Sequence, residues 1–382
     1  MGNLQSKRSS FKLHHHINWI IGAAALVLIV ILSFSDALGR SDVSLLNRVA
    51  YSIILAVSLN LVVGFLGELS LGHAGFMCVG AYIGCYLANH LNSVIDSPVL
   101  VLIVTMFVGG LVAAFFGFII GLPALRLKGD YLAIATLAFG EIVRNIFKNL
   151  PYFGGAKGLM VNKIFSSTKP TLLIISFIVV LFTLIVTQNL IRSKHGRAIT
   201  AIRDNEIAAK AMGINVTYYK LFVFVFAAFF AGVAGVLYGH QTTPVMYSFF
   251  SYNYSIEILV MVVLSGMGNI TGSIFAATLI TYVNFVLQNE LTGNLAALKL
   301  LIYAIILILV VLFNNAPAFR PIKEKLNFRR LFERKQSPEK IKDDDAAWDR
   351  VPTKIQMDEL LSVDITPTNY EPDKGSRDGR DD

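Results

Sequence analysis

Residues 64–84 read GFLGELSLGHAGFMCVGAYIG, with six glycines, one carboxylate and one imidazole between apolar runs. Almost no loop separates the stretch from the run 49–66 before it. Glycines at Gly67, Gly72, Gly75 and Gly80 permit either close helix contacts or an unwound backbone. Unwound backbone at membrane depth survives only where protein or a water-filled cavity covers it. Glu68 and His73 favour a site over plain packing, because an ionisable group inside a span is costly without a partner or a role. A short cytoplasmic turn also accommodates Glu68. A second stretch, SGMGNITGSIFAA at 265–277, has the same character. Interrupted apolar segments in corresponding halves of a chain point to a translocation path. The candidate lining is Gly67, Glu68, Ser70, Gly72, His73, Gly75, Gly266, Gly268 and Gly272, with tight helix packing through small residues as the alternative.

Composition explains why these stretches are read against a bilayer. The 382 residues are 55% hydrophobic and 15% charged, with a mean hydropathy of +0.62. Soluble domains carry about 25% charge, so a purely soluble protein is excluded. A spanning helix needs about 20 mostly apolar residues. Six runs qualify directly: 17–34, 49–66, 98–122, 170–191, 218–239 and 297–313. Four more are interrupted: 70–89, 131–148, 255–268 and 271–288. The expectation is an all-α polytopic membrane protein of about ten transmembrane helices, two of its segments broken or re-entrant and glycine-rich. The run 17–34 lacks a small-residue cleavage site after it, and Asp36 to Arg40 reads as a short loop, so it is expected to be retained.

The formal charge of +8 divides unevenly. Residues 1–313 carry 19 basic and 10 acidic side chains, and 314–382 carry 14 and 15. With ten spans, Lys7–Lys12, Arg126–Lys128, the loop 192–220 and the bases after 313 all face one side, which the positive-inside rule makes the cytoplasm. Lys157, Lys163 and Lys169 are the misfit on the other face. The domain reading is a cytoplasmic segment 1–16, a membrane domain 17–313, a basic juxtamembrane segment 314–336 and an acidic, disordered tail 337–382. The basic excess reads as loops against anionic lipid, not as a nucleic-acid surface.

No catalytic set emerges. The dipeptide Gly-Lys is absent, so there is no P-loop, and H-E-x-x-H and G-x-S-x-G are absent too. His14, His15 and His16 read as a solvated run, with a metal cluster as the alternative; no metal site is expected. Cys78 and Cys85, seven apart on a helix, cannot bridge and read as small hydrophobes. Glu141 and Arg144, three apart, form a candidate intramembrane ion pair, with a substrate contact as the alternative. Glu257 is read as opening its span, where a carboxylate suits a helix N-terminus.

The loop SKHGRAITAIRDNEIAAKAMGINVTYYK, Ser193 to Lys220, has its own logic. Gly196 precedes a helical stretch with Ile199 and Ile202 on one side. Asp204 or Asn205 is a suitable N-cap. Glu206 then suits the helix dipole, and Gly213 suits the stop. Small alanines beside charges fit insertion into a partner's groove better than contact with lipid.

Here the sequence resembles a known family. EIAAKAMGI, Glu206 to Ile214, is similar to the EAA loop of ABC importer permeases, the cytoplasmic element that docks on the ATPase. The wider stretch Ala201–Gly239, with Ser58–Gly84, Leu125–Ile146 and GGAKGL from Gly154, resembles the branched-chain amino acid permeases of the LivM type. The resemblance covers about residues 50–315. It departs at LSGMGNITGS, where Ser265 and Ser273 stand in a segment that in the family usually has Gly-Gly-x-G and often Gly-Pro. It implies an ATPase-coupling loop (193–217) with Arg203, Glu206, Ala208, Ala209 and Gly213 as contact residues. It implies a second permease of the LivH type, two ABC ATPase subunits and an extracytoplasmic substrate-binding protein. It further implies a bacterial inner-membrane location with both termini cytoplasmic. ATP and magnesium would sit on the partners, with no cofactor on this chain and no enzyme activity of its own. Leucine, isoleucine and valine are the implied substrates; close relatives carry urea or other amino acids. A stand-alone channel or secondary carrier would not need the loop, and an intramembrane enzyme lacks a catalytic set.

Overall fold

The computed structural model describes residues 39–124, 127, 129–162 and 171–290, with Ile305 and Ile308. The chain divides into two units, Met1–Asn315 and Ala316–Asp382, and every described residue belongs to the first. The run 17–34, nearly all of 297–313, the histidine run, the basic segment and the acidic tail lie outside the described residues.

The described residues are helical apart from turns and one isolated bridge. The helices are α1 (Arg40–Asn60), continued by a π-helical turn Leu61–Leu66, α2 (His73–Leu91), α3 (Pro98–Ala124), α4 (Asp130–Asn149) and α5 (Thr171–Arg192). Two short helices follow, α6 (Lys194–Asp204) and α7 (Glu206–Ala211), then α8 (Val216–Gln241), α9 (Tyr252–Leu264) and α10 (Ile270–Glu290). Among the described residues, five helical segments are long and apolar enough to cross a membrane: Arg40–Leu66, Pro98–Ala124, Thr171–Arg192, Val216–Gln241 and Ile270–Gln288. The chain is a multi-pass membrane protein. With 13 residues, α9 extends only about 20 Å and does not cross alone.

Three boundaries differ from the sequence reading. α1 begins at Arg40, nine residues before the apolar run and inside the expected loop. The cause is Asp42, whose carboxylate accepts from the Gly39 N–H at 3.1 Å and fixes an earlier start. α6 begins at Lys194, before Gly196, because the Ser193 hydroxyl caps it by accepting from the Gly196 N–H at 3.3 Å. α9 starts at Tyr252, so Glu257 sits in its second turn and does not open it.

The core is built on small residues. α8 packs along α2 and α3, and α2 is enclosed by α8, α3, α4 and α9. Lipid is as apolar as leucine, so helices there associate through close van der Waals contact. The requirement is plain at Gly80, where an added Cβ would strike the Gly232 backbone. Cys78 and Cys85 are buried free thiols on α2. α3 turns Ile103, Phe107, Leu111, Phe115 and Phe118 outward at helical spacing, as a lipid-facing stripe does.

Contacts sort the helix ends into two sets. At the far end, Leu159 and Val245 exchange backbone bonds of 3.0 and 2.9 Å. The Asn89 amide donates to the Met160 carbonyl at 2.8 Å, and Gln241 donates to the Ser44 carbonyl at 2.7 Å. The GGAKGL segment belongs to this end. The opposite end gathers both glycine-rich breaks and the connector 193–215.

Gly80→Val is expected to force α2 and α8 apart. Ordinary overpacking costs about 1–3 kcal/mol; backbone atoms cannot rotate away, so the cost here is at the upper end or beyond. The purified protein should lose melting temperature and monodispersity, whereas an unchanged melting temperature would rule out the close crossing.

Candidate functional site

The first break starts inside α1. The π-helical turn ends at Gly67, which takes φ of 82°, and residues 67–72 are irregular before His73 opens α2. Backbone freed in this way needs partners. The Thr136 hydroxyl of α4 accepts from the Leu71 N–H at 3.0 Å, and the Ser255 hydroxyl of α9 accepts from the Ala74 N–H at 3.1 Å. Gly72 and Gly75 lie against Thr136 and Gly140 of α4. His73 is buried, with a ring nitrogen 2.8 Å from the Ser58 hydroxyl. Ser70 is buried, and its hydroxyl has no hydrogen-bond partner.

The second break meets the first. Between α9 and α10, Gly266 and Gly268 take φ of 77° and 81°. The side chain of Asn60, fully buried, accepts from the Gly268 N–H at 3.0 Å and donates to the Ser273 hydroxyl at 2.8 Å. Ser273 reaches the Ser265 hydroxyl at 3.2 Å. Ser265 and Ser273 are thus joined at this node. Gly64 is the residue that lets the segments touch, since a Cβ there would collide with Asn60 and with the Gly268 nitrogen. Gly272 donates to Asn269 at 3.2 Å in the same turn.

The connector closes over this junction. Asn205 caps α7, accepting from the Ala208 N–H at 3.0 Å. At its end, Ile214 N–H donates to the Ala209 carbonyl and Gly213 N–H to the Lys210 carbonyl, both at 3.1 Å. With Gly213 at φ of 81°, this is a Schellman closure. The exposed surface differs from the sequence reading. Ala209 is buried, while Ile207 and Met212 are 83% and 82% exposed. Large apolar side chains therefore project from α7 and its end, with Ala208 beside them.

Two contacts tie the connector to the first break. Arg203 donates to the Gly64 carbonyl at 3.0 Å and pairs with Asp204 at 3.0 Å. Lys220, buried in the second turn of α8, places its Nζ 2.5 Å from Glu68 and 3.1 Å from Glu206. One ammonium thus bridges the break, α7 and α8. Sequence reading separated coupling residues from path residues and passed over Lys220, Asn60 and Gly64. One signal was present: a cation near the start of a helix opposes the dipole, so Lys220 needed a carboxylate.

Glu141 and Arg144 stand apart from the junction. They pair at 2.5 Å, and Glu141 also accepts from the Tyr252 N–H at 3.0 Å. The carboxylate at the N-terminus of α9 is therefore Glu141, supplied by α4, and not Glu257.

Comparison with known proteins shows what the chain is similar to. The family model described as "Branched-chain amino acid transport system / permease component" matches residues 43–311. Over 326 residues the chain is 33% identical to the "High-affinity branched-chain amino acid transport system permease protein LivM" of Salmonella typhimurium and of Escherichia coli. Each alignment covers 76% of this chain and 72% of the relative. A "Probable branched-chain amino acid transport permease protein LivM" of Methanocaldococcus jannaschii is 28% identical over 256 residues, 57% of this chain and 73% of the relative. No solved structure matches.

Removing Lys220 leaves two carboxylates facing each other. Breaking a fully buried pair costs about 3–5 kcal/mol; the Glu206 side chain, 39% exposed, is screened and adds under about 1 kcal/mol. Lys220→Met should therefore lower the melting temperature clearly. Adding Glu68→Gln should recover part of the loss, because it removes the stranded charge. Independent, additive effects in that double variant would refute the bridge.

Proposed function

The chain belongs to the branched-chain amino acid permease family, and from that premise we propose that it is one membrane-spanning subunit of an ABC importer. It carries leucine, isoleucine and valine into a bacterial cell across the inner membrane. Ten spans and cytoplasmic termini fit the positive-inside distribution. A LivH-type permease completes the membrane part, two ATPases hydrolyse ATP, and an extracytoplasmic binding protein delivers substrate. The observation that carries this reading is the connector: it exposes Ile207 and Met212 outward while Arg203 and Lys220 grip the first break inward.

The mechanism follows from that double attachment. An ATPase groove takes the apolar face of α7. Closure of the ATPases moves α6 and α7, and the Glu206–Lys220–Glu68 bridge passes the movement to residues 64–72. Asn60 then couples this segment to the turn at 266–269, so both breaks shift together. A re-entrant α9 and its glycine turn form the part of the path that opens and closes. Gly67, Ser70 and His73 move with it.

The test is uptake into proteoliposomes holding all subunits. Labelled leucine should accumulate only with ATP, and urea should not. Ile207→Glu together with Met212→Glu places charge in the apolar contact and should reduce both ATPase copurification and uptake by at least about tenfold. Leucine flux without ATPases would make the chain a channel or carrier, and urea uptake would reassign the substrate.

A further inference from the structure

The connector leaves the membrane at a corner of its own. The spanning helix α5 ends at Arg192, and α6 begins two residues later at Lys194, so the first turn of α6 lies at the bilayer edge. The spanning helix α8 enters the membrane beside it. The ring of His195 is centred 5.9 Å from that of Tyr219 and 6.4 Å from that of Phe222, both near the start of α8. Its Nδ1 stands 3.4 Å from the Tyr219 hydroxyl. Tyr218 is exposed and stacks on Phe222 at 6.3 Å. The ends of two spanning helices thus meet in a ledge of rings, where aromatic side chains line a membrane–water interface. Lys194 and Arg197, three apart, share the side of α6 that flanks His195, and both are exposed. The opposite face is occupied, with Gly196, Ile199 and Ile202 buried. Residues 171–203 contain no acidic side chain. Asp204, the next residue, pairs with Arg203. Among the described residues neither Lys194 nor Arg197 pairs with a carboxylate.

Exposed cations beside tyrosine rings, at the ends of spanning helices, match the chemistry of an anionic phospholipid. The bases meet the phosphate, and the rings meet the boundary between headgroup and acyl chain. We propose that this ledge holds an anionic phospholipid headgroup, and that the lipid fixes the start of α6 as the pivot of the connector. Lipid suits the place better than an ATPase does. α6 is 11 residues long, about 16 Å, and α7 with its exposed Ile207 and Met212 begins only at the other end. That other end also carries Arg203, which holds the Gly64 carbonyl. With lipid at its start and the first break at its end, α6 swings about the membrane surface and does not slide along it. The role in coupling rests on the import reading above; the lipid site does not.

Bound lipid gives a direct readout. The complete complex, purified in mild detergent, should keep phosphatidylglycerol in preference to phosphatidylcholine when its lipids are counted by native mass spectrometry. Lys194→Gln with Arg197→Gln should weaken that retention about thirtyfold, since each base near an anionic surface contributes about a factor of five. Lys194→Arg with Arg197→Lys, which keeps both charges, should retain the lipid. In vesicles of phosphatidylcholine with about one quarter phosphatidylglycerol, the native complex should import several times more leucine per ATP than in phosphatidylcholine alone. The double glutamine variant should show no such difference. Equal retention by the native and glutamine complexes overturns the site. Loss of the ATPases from the glutamine complex in lipid-free detergent also overturns it, and assigns the surface to them. Retention without lipid-dependent coupling overturns the pivot. A complex that imports no amino acid overturns the import reading, while the retention comparison still decides the lipid site.

Discussion

Backbone that unwinds inside a bilayer has to find its hydrogen bonds within the protein, because no water is at hand to supply them. The break at residues 67–72 obeys that constraint with side chains from elsewhere. Thr136 of α4 serves Leu71, Ser255 of α9 serves Ala74, and Asn60 of α1 serves Gly268 in the other break. Each helix that donates a hydroxyl or amide is thereby fixed against the break. Those few polar contacts join α1, α4, α9 and α10 at this end.

The same economy governs the charges. A buried ammonium between two carboxylates gives a directional link where apolar packing would slide. Removing any one partner leaves a costly remainder, so the three groups move together or separate at high cost. The bridge ties Glu68, α7 and α8 across 152 positions of sequence. Arg203 adds a second grip on the Gly64 carbonyl. A connector held at two points transmits rotation as well as displacement, which a single contact would not.

Local features were legible in the sequence because local chemistry decides them. Asn205 as a cap, Gly213 as a stop and the Glu141–Arg144 spacing all follow from interactions within four residues. The apolar runs likewise announced the spanning helices. What could not be read were pairings between distant segments. Nothing near Lys220 names Glu68, and nothing near Asn60 names Gly268 or Ser273. Glu257 was misplaced for the same reason: the apolar run masked the true start of α9, which a carboxylate from α4 caps. The exposed pair Ile207 and Met212 was missed because alanine content describes α7 on average, whereas exposure depends on which of its faces α6 and α8 cover.

The placement of Ser265 and Ser273 makes sense in these terms. Asn60 is fully buried, so both ends of its amide need partners. Its oxygen is taken by the Gly268 N–H, and its nitrogen donates to the Ser273 hydroxyl. Without the Ser273 hydroxyl, that N–H would lose its acceptor, at about 1–3 kcal/mol for a buried group left unsatisfied. The hydroxyl of Ser273 in turn lies within hydrogen-bond reach of the Ser265 hydroxyl and the Asn269 carbonyl, which anchors the first turn of α10 to the end of α9. The two serines tie this joint to Asn60 and therefore to the first break. Ser265 and Ser273 thus tighten the connection between the two halves of the junction.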